Sequence, residues 1–484
     1  MQQKKFVTNI AFLIVLNLLI KPFWPLGIEP AVQNAVGNAS YGEYAILFNF
    51  SFLLNIILDF GVTQFNNKNI AQNNHLLTKH FSSLFTLKLI LGIIYFLVTV
   101  ILGFTLGYDF RYMKLLSVLA VNQFLISMIL YLRSSLLGLH LFKTDSFVSV
   151  ADRVIMIFIC VGLLLNWFGL EIDIMVFVYA QTIGYALTAV IAFVTVYHKT
   201  SHFKLTWNKP FSLMILKQSF PFAILVLLMT FYNRLDSVML GFILPEGEGS
   251  EQAGIYAKAF RLLEAGNMIA YLFSVQLIPV FSRMIKHKES VEQIVKLSFI
   301  LLITPALVVS VGCFFYAQDI SGLINHVKHG EISDSYVEFS ILMLCFTAVS
   351  TTYIFGTLLT ANGNLKQLNI MALIGICINL VLNFILIPHY KALGSAYSSL
   401  ITQFFTAGIQ IYFAVKIFKF KFNVKLIMSL CIFISGIIAF NFFSRSFTAN
   451  WLINFGMMCV FCGLWAFVSG LLNVKSIYRF VKYK

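Results

Sequence analysis

The sequence predicts an all-α polytopic membrane protein with about 14 transmembrane helices, each of about 20 apolar residues. Three observations support this fold class: 59% of the 484 residues are hydrophobic, 11% are charged, and the apolar residues fall in long runs. A soluble domain carries roughly 25% charged residues, so this chain cannot cover its surface with polar groups. Lipid must therefore be its solvent.

Polar or charged turns separate the predicted spans, and no connection between them is long enough to form a domain. The first run follows Lys4 and Lys5 but has no small-residue cleavage site, so we interpret it as a retained helix and not as a signal peptide. The predicted spans are 6–28, 42–65, 81–106, 113–138, 147–168, 172–197, 213–243, 253–282, 292–316, 337–361, 367–387, 392–418, 425–443 and 449–472.

The distribution of basic residues predicts that both termini are cytoplasmic. With the N-terminus inside, 22 of the 34 Lys and Arg residues fall in cytoplasmic loops and tails and five fall outside, as the positive-inside rule requires. The C-terminal cluster from Lys475 to Lys484 then needs an even helix count. The net charge of +15 follows from this topology and from attraction to anionic lipid headgroups. It does not indicate nucleic-acid binding.

An internal repeat is indicated by motifs that lie six predicted helices apart. Gly42-Glu43-Tyr44-Ala45 corresponds to Gly254-Ile255-Tyr256-Ala257, and Asn166 corresponds to Asn383, at offsets of 212 and 217 residues. Because six is even, the halves form a parallel repeat, an arrangement that generally encloses a central cavity with alternating access. We predict an N-terminal lobe over 1–205, a C-terminal lobe over 206–420, and two further helices with a cytoplasmic tail over 421–484.

Ionisable residues inside the spans are candidates for function because burying a charge in lipid is costly. Lys88, Arg153 and Lys296 lie within about two turns of predicted cytoplasmic helix ends, where long side chains can reach the interface. We expect structural roles for those three residues. Asp59 is expected to make a contact at the end of the second helix.

Lys21 is the main candidate in the first helix. Asn17 and Trp24 lie at i−4 and i+3 from it and form a polar stripe on one helix face. Pro22 and Pro25 follow, so we predict a kink or break at this point. Broken helices that line a cavity are where transporters place binding groups. The alternative is a lysine that extends to the outer interface.

The seventh and eighth helices carry the remaining candidates. These are Asn233, Arg234, Asp236, Lys258, Arg261 and Glu264. The repeat offset places residue 233 opposite Lys21, so both halves present a cation at nearly equivalent positions. Cations outnumber carboxylates in this set, and a cationic cavity would select an anionic ligand such as a phosphate. A structural alternative stays open, in which Asp236 pairs with Lys258 and Glu264 pairs with Arg261.

With this layout, the chain resembles the polysaccharide flippases, the Wzx-type O-antigen transporters. Their superfamily, the MOP superfamily, also contains MATE drug exporters and lipid II flippases. The resemblance spans nearly the whole chain and rests on the helix layout and on local patterns. These patterns are Tyr41-Gly42-x-Tyr44, Leu58-Asp59-Phe60-Gly61, Arg234-Leu235-Asp236-x3-Leu240-Gly241, Gly254-x-Tyr256-Ala257, Asn362-Gly363-Asn364, Asn379-x3-Asn383-x4-Pro388 and Leu393-Gly394-Ser395-Ala396.

The resemblance implies a flippase of the bacterial inner membrane, not an enzyme. Its substrate would be an undecaprenyl-diphosphate-linked oligosaccharide repeat unit for O-antigen (lipopolysaccharide), capsule or exopolysaccharide synthesis. Two lobes would alternate access, often coupled to an ion gradient, for which Asp236 and Glu264 are candidates. The expected partners are this substrate, membrane lipids, and the polysaccharide polymerase and glycosyltransferases of the same pathway. A diphosphate is a compact dianion, which agrees with the predicted cationic cavity.

Three other classes of protein are alternatives. A lipid II flippase shares the layout and the cationic cavity. A MATE-type exporter commonly carries a carboxylate in helix one, where this chain has Lys21 and no mid-membrane acid. A polymerase or ligase usually needs a long external loop.

No cofactor or metal site is predicted: the chain has no P-loop, and Cys459 and Cys462 form a CxxC without a second pair. His326 and His329 form a HxxH pair in a solvated loop, which rarely binds metal alone.

Overall fold

A computed structural model confirms the all-helical fold class. It describes residues 16–17, 19–63, 66, 70, 76–139, 141–200, 204–275, 277–325, 335–420, 423–448 and 450–472, and within these ranges no residue is in a strand. Nine helices in this part of the chain are long and apolar enough to cross a membrane. The predicted count of fourteen stays a prediction.

Contacts within the chain divide it into two compact units, Met1–Gly254 and Ile255–Lys484. The division of the repeat at residue 206 stays a prediction, since packing and sequence repetition need not share a boundary. The first unit contains a π-helix at Trp24–Ile28, then α1 (Glu29–Val36), α2 (Asn38–Leu53), α3 (Ile56–Asp59), α4 (Leu76–Thr105), α5 (Phe110–Gly138), α6 (Phe142–Leu164), α7 (Ile174–Tyr197), α8 (Lys209–Ile243) and the start of α9 (Glu248–Val275).

The second unit contains the rest of α9 and seven further helices. These are α10 (Leu277–Lys286), α11 (Glu292–Phe315), α12 (Ala317–Ile324), α13 (Tyr336–Ala361), α14 (Leu365–Phe418), α15 (Val424–Ser444) and α16 (Trp451–Val468). Two predicted spans, 367–387 and 392–418, are joined in α14, whose backbone leaves helical geometry at Lys391 (φ 52°, ψ −129°). The kink follows Pro388, a residue that cannot continue helical hydrogen bonding.

Side-chain caps begin several of the spanning helices. Asp109 accepts a hydrogen bond from the Tyr112 N–H at 2.9 Å at the start of α5, and Asp173 accepts one from the Val176 N–H at 2.7 Å at the start of α7. Each cap satisfies a backbone donor that the first helical turn leaves open. Polar capping residues at the ends of apolar runs therefore set where these helices begin.

Lys88 lies in α4, and its side chain is only 1% exposed. Its Nζ donates to the Leu58 carbonyl oxygen at 2.8 Å, to Asp59 Oδ1 at 2.8 Å and to Ser127 Oγ at 2.6 Å. The expected structural role agrees with these contacts, but the expected reach to the interface is wrong. Asp59 ends α3 and also accepts from Thr63, which confirms the predicted helix-end contact.

The glycines of the two repeated motifs meet within the first unit. A Cβ added at Gly42 in α2 would overlap the carbonyl oxygen of Ser250, and one added at Gly254 would overlap the carbonyl oxygen of Asn38. The Gln33 side-chain amide also donates to the Gly254 carbonyl oxygen at 2.9 Å. Only residues without a Cβ allow these backbones to approach so closely.

Candidate functional site

The first helical segment is interrupted at Lys21, as the sequence predicts. Lys21 and Pro22 form a turn, and Trp24–Ile28 forms a π-helix. The Lys21 N–H donates to the Asn17 carbonyl oxygen at 3.0 Å, whereas Pro22 has no N–H to donate and cannot continue the ladder. Single π-helical turns are frequent at functional sites.

The helix extends well beyond Lys21. The π-helix runs directly into α1, which ends at Val36. At 1.5 Å per residue, Val36 lies about 22 Å further along the helix axis than Lys21. A lysine side chain cannot cover that distance. The distance from Lys21 to the end of α1 therefore argues against the alternative in which Lys21 extends to the outer interface.

Trp24 is the centre of the contacts in this region. Its ring stacks on Phe177 of α7 with centroids 5.8 Å apart, and the Arg153 guanidinium of α6 lies 5.3 Å from its centroid. Its indole N–H donates to Glu29 Oε1 at 2.8 Å. Because Trp24 is only 5% exposed, it positions Arg153 and has little surface left for a ligand.

Arg153 was expected to reach the cytoplasmic interface, and this prediction is wrong. The sequence places the helix start at residue 147, but α6 begins at Phe142. Arg153 therefore lies about 16 Å along the helix from its start. It faces Trp24 and forms a side-chain hydrogen bond with Tyr185 of α7.

Buried hydrogen bonds fix the helices around Trp24. Asn17 is 4% exposed, and its side-chain amide donates to Ser149 Oγ of α6 at 3.0 Å. In α7, the Gln181 amide donates to the Tyr44 hydroxyl oxygen at 3.1 Å. The predicted site residue Asn17 thus holds the broken helix against α6, which is a positioning role.

The charges around Lys21 are nearly balanced. Arg133, Asp145, Asp152 and Arg153 all act on it electrostatically. Arg133 and Asp145 form a bidentate pair at 2.7 and 3.1 Å, which leaves Lys21 and Arg153 near Asp152. Glu29 also acts on Arg153. This part of the chain therefore carries more negative charge than the sequence analysis assigned to it.

The predicted residues of the seventh helix lie in α8. The Arg234 guanidinium lies 5.1 Å from the ring centroid of Phe52 in α2, a cation–π contact that helps to position it. Asp236 is 3% exposed. The side chain of Asn233 lies outside the part of the chain that the structure describes.

The predicted residues of the eighth helix lie in the part of α9 that belongs to the second unit. Arg261 is 2% exposed, and its Nη1 donates to Asn325 Oδ1, just after α12, at 3.3 Å. The Asn325 amide donates in turn to the Ser321 and Ser335 hydroxyl oxygens at 3.2 and 3.3 Å. Arg261 therefore fastens α9 to this turn. Its role in substrate binding stays a prediction.

Lys258 and Glu264 are both partly buried. The two charge pairings considered from the sequence, of Asp236 with Lys258 and of Glu264 with Arg261, stay open.

Three of the predicted residues come together with residues that were not predicted to belong to the site. Asn17, Lys21 and Trp24 gather with Arg153, Glu29 and Phe177. The available signal was the adjacent pair Asp152-Arg153 inside an apolar run. Arg153 is instead predicted to be structural, because the predicted helix start at residue 147 lies five residues after the observed one.

Metal binding has no structural support in the described ranges. No group of three or more His, Cys, Asp and Glu residues there is arranged to hold a metal ion. The external pair His326 and His329 lies outside the described residues.

The fold is that of the MurJ and MATE transporters. The chain matches a structure of the lipid II flippase MurJ in an inward closed conformation with a TM-score of 0.70, at 16% identity, over 99% of both chains. It matches an inward-facing multidrug resistance MATE family transporter of the MOP superfamily with a TM-score of 0.63, at 13% identity, over 84% of this chain and 98% of that one.

The chain belongs to the polysaccharide biosynthesis protein family, whose pattern matches residues 6–285. It is also 26% identical over 211 residues to the uncharacterized membrane protein YabM of Bacillus subtilis (strain 168). That match covers 42% of this chain and 39% of the relative. The protein is thus a multi-pass membrane protein, and its family and fold neighbours are flippases and transporters.

Proposed function

We propose that the protein is a flippase of the bacterial inner membrane that translocates undecaprenyl-diphosphate-linked oligosaccharide repeat units from the cytoplasmic to the periplasmic leaflet. The product would be O-antigen, capsule or exopolysaccharide. Membership of the polysaccharide biosynthesis family supports the substrate class. The MurJ-like fold supports the flippase mechanism, in which two lobes alternate access.

The observation that carries the proposal is the placement of Lys21 and Arg153. Lys21 stands at a break in helix one, and Arg153 lies about 16 Å along α6. Both side chains are partly exposed. Arg and Lys donate to phosphate oxygens, Arg in bidentate fashion. Trp24, which stacks on Phe177, holds the Arg153 guanidinium in one place, which lowers the entropy lost when a diphosphate binds.

The nearby carboxylates suit a carrier. A site that bound the diphosphate with uncompensated cations would hold it too tightly to release it. Asp152 lies 3.9 Å from Arg153 and Glu29 acts on it, so a diphosphate would replace partners that Arg153 already has. The net free energy of diphosphate binding is then modest, so the substrate can be released in each transport cycle.

The test is to replace Lys21 and Arg153 singly by Gln in cells that make a surface polysaccharide. We expect the polysaccharide to be lost while the amount of protein in the membrane is unchanged. Arg111→Gln is the matched control, because Arg111 pairs with Glu43 and its side chain is 68% exposed. Normal polysaccharide in both Gln variants would contradict the proposed site.

A lipid II flippase is distinguished by what its loss does to the cell. Depletion of a polysaccharide flippase should leave viable cells without the surface polymer. Depletion of a lipid II flippase should stop growth and cause lysis, because peptidoglycan synthesis has no precursor.

A MATE-type exporter is a further candidate because of Glu29. The predicted first helix, 6–28, has no mid-membrane acid, but the structure continues that helical segment through Glu29 to Val36. The first segment thus does carry a carboxylate. If export of cationic drugs is the function, deletion should lower drug resistance, and Glu29→Gln should have the same effect.

A further inference from the structure

A groove of about 340 Å³ lies between α6 and α7 of the first unit, apart from the site around Lys21. It is found where α6 begins and α7 ends, and the predicted topology places this end at the cytoplasmic face. The groove is lined by Lys143, Thr144, Phe147, Val148, Ala151, Ile191 and Thr195.

The groove follows from how the two helices pack. They approach closely at Gly184, where an added Cβ would overlap Met156. Nearer the cytoplasmic end, Val148 and Ala192 belong to the same buried core, so the inward sides of both helices are packed into that core. The space between the outward sides opens as the groove.

The walls of the groove are apolar and open on one side. Phe147 is 60% exposed and Ile191 is 45% exposed, whereas Val148 at the floor is 3% exposed. Thr195 contributes a methyl group, since its hydroxyl donates to the Ile191 carbonyl oxygen at 2.7 Å. Such a surface, facing away from the core of the unit, suits a hydrocarbon chain.

The cytoplasmic mouth of the groove is cationic. Lys143 is an exposed lining residue at the first turn of α6. Lys199 is exposed one turn beyond Thr195, where its N–H bonds to the Val196 carbonyl oxygen at 2.9 Å. Asp145 does not offset them, because it is fully buried and paired with Arg133.

We infer that this groove binds one phospholipid with an anionic headgroup from the cytoplasmic leaflet. The headgroup phosphate lies at Lys143 and Lys199, and an acyl chain lies along Phe147 and Ile191. Basic pockets between transmembrane helices on the cytoplasmic side recognise such headgroups. The volume of about 340 Å³ is at the lower end of the ~300–1,000 Å³ typical of ligand sites, which fits one chain segment and not a whole lipid.

The test is native mass spectrometry of the purified full chain in detergent micelles containing phosphatidylglycerol. Lys143→Gln with Lys199→Gln should weaken retention of one bound phosphatidylglycerol by about tenfold relative to the unmodified protein. The matched control is Lys416→Gln with Lys419→Gln, which removes two exposed lysines at the end of α14. This control should retain the lipid.

A second variant tests the acyl-chain half of the site without changing charge. Ala151→Phe fills the groove and should also lose the bound lipid, whereas Ala189→Phe, on α7 but outside the lining, should keep it. The inference is overturned if either groove variant retains phosphatidylglycerol as the unmodified protein does, or if phosphatidylethanolamine is retained equally well. These measurements use purified protein and lipid, so they do not depend on the transported substrate.

Discussion

At the scale of single residues, Lys88 shows how the membrane interior can hold a charge. Three acceptors surround its ammonium group, and one of them is the Asp59 carboxylate. An ammonium group has three donors, so each one is satisfied. Burial of the charge is therefore tolerated because the site supplies the hydrogen bonds that water would otherwise make.

Replacing one partner of this pair should destabilise the protein strongly. Lys88→Met leaves the Asp59 carboxylate, which is 30% exposed, without its partner, and we expect a loss of about 1–3 kcal/mol. The double variant Lys88→Met with Asp59→Asn should recover much of the loss. Thermal unfolding in detergent measures both. Arg111→Gln is the comparison, because it removes the exposed partner of Glu43. If Lys88→Met unfolds no earlier than Arg111→Gln, the Lys88–Asp59 pair does not stabilise the fold.

The structure predicts a stabilising role for Arg261 that the sequence alone did not indicate. Because its guanidinium is buried against Asn325, Arg261→Gln and Asn325→Ala should both reduce thermal stability, by about 1–3 kcal/mol each. Arg234→Gln serves as the comparison, since Arg234 is only partly buried. If Arg261→Gln abolishes polysaccharide export at unchanged stability and membrane level, holding α9 to Asn325 is not the main role of Arg261.

At the scale of elements, the sequence predicted helix positions well and helix ends less well. The break at Lys21 was predictable because Pro22 has no N–H. The start of α6 at Phe142 was not predictable, because charged residues such as Lys143 and Asp145 are typical of loops in a hydropathy pattern. Asp145 is nevertheless fully buried against Arg133, and this tertiary contact lets the helix begin one turn earlier. That one turn changed the interpretation of Arg153.

Where α2 crosses the start of α9, replacing Gly42 or Gly254 by a larger residue should destabilise the protein. Gly42→Ala and Gly254→Ala each place a Cβ against a backbone carbonyl, which cannot move away as a flexible side chain would. We expect a loss of about 1–3 kcal/mol or more in each. Gly408→Ala is the control: nothing lies within 4 Å of its added Cβ, and helix propensity favours Ala by up to about 1 kcal/mol. Equal stability of all three variants would contradict the close crossing.

At the scale of the whole molecule, the orientation in the membrane is the most direct prediction. Both termini should be cytoplasmic, because this choice places most basic residues inside. A fluorescent protein fused at the C-terminus should fold and fluoresce, and alkaline phosphatase at the same point should be inactive. A fusion of phosphatase after Arg111, in a predicted external turn, should be active. The reverse result would mean that the helix count or the orientation is wrong.

The solvent of this protein, its helical class and its family resemblance were determined by the sequence alone. Composition and long apolar runs are properties of consecutive residues, and lipid leaves helices as the way for such runs to satisfy their backbone. Only the tertiary structure decided which charges belong together. Lys21 stood out in the sequence, but Arg153 comes to it from another helix. Trp24 contacts both Arg153 and Glu29, and no spacing in the chain encodes its contact with Arg153. The environment of Lys88 was likewise not predictable from the sequence. Lys88 was expected at the interface, but folding places Asp59 and Ser127 next to it and buries it.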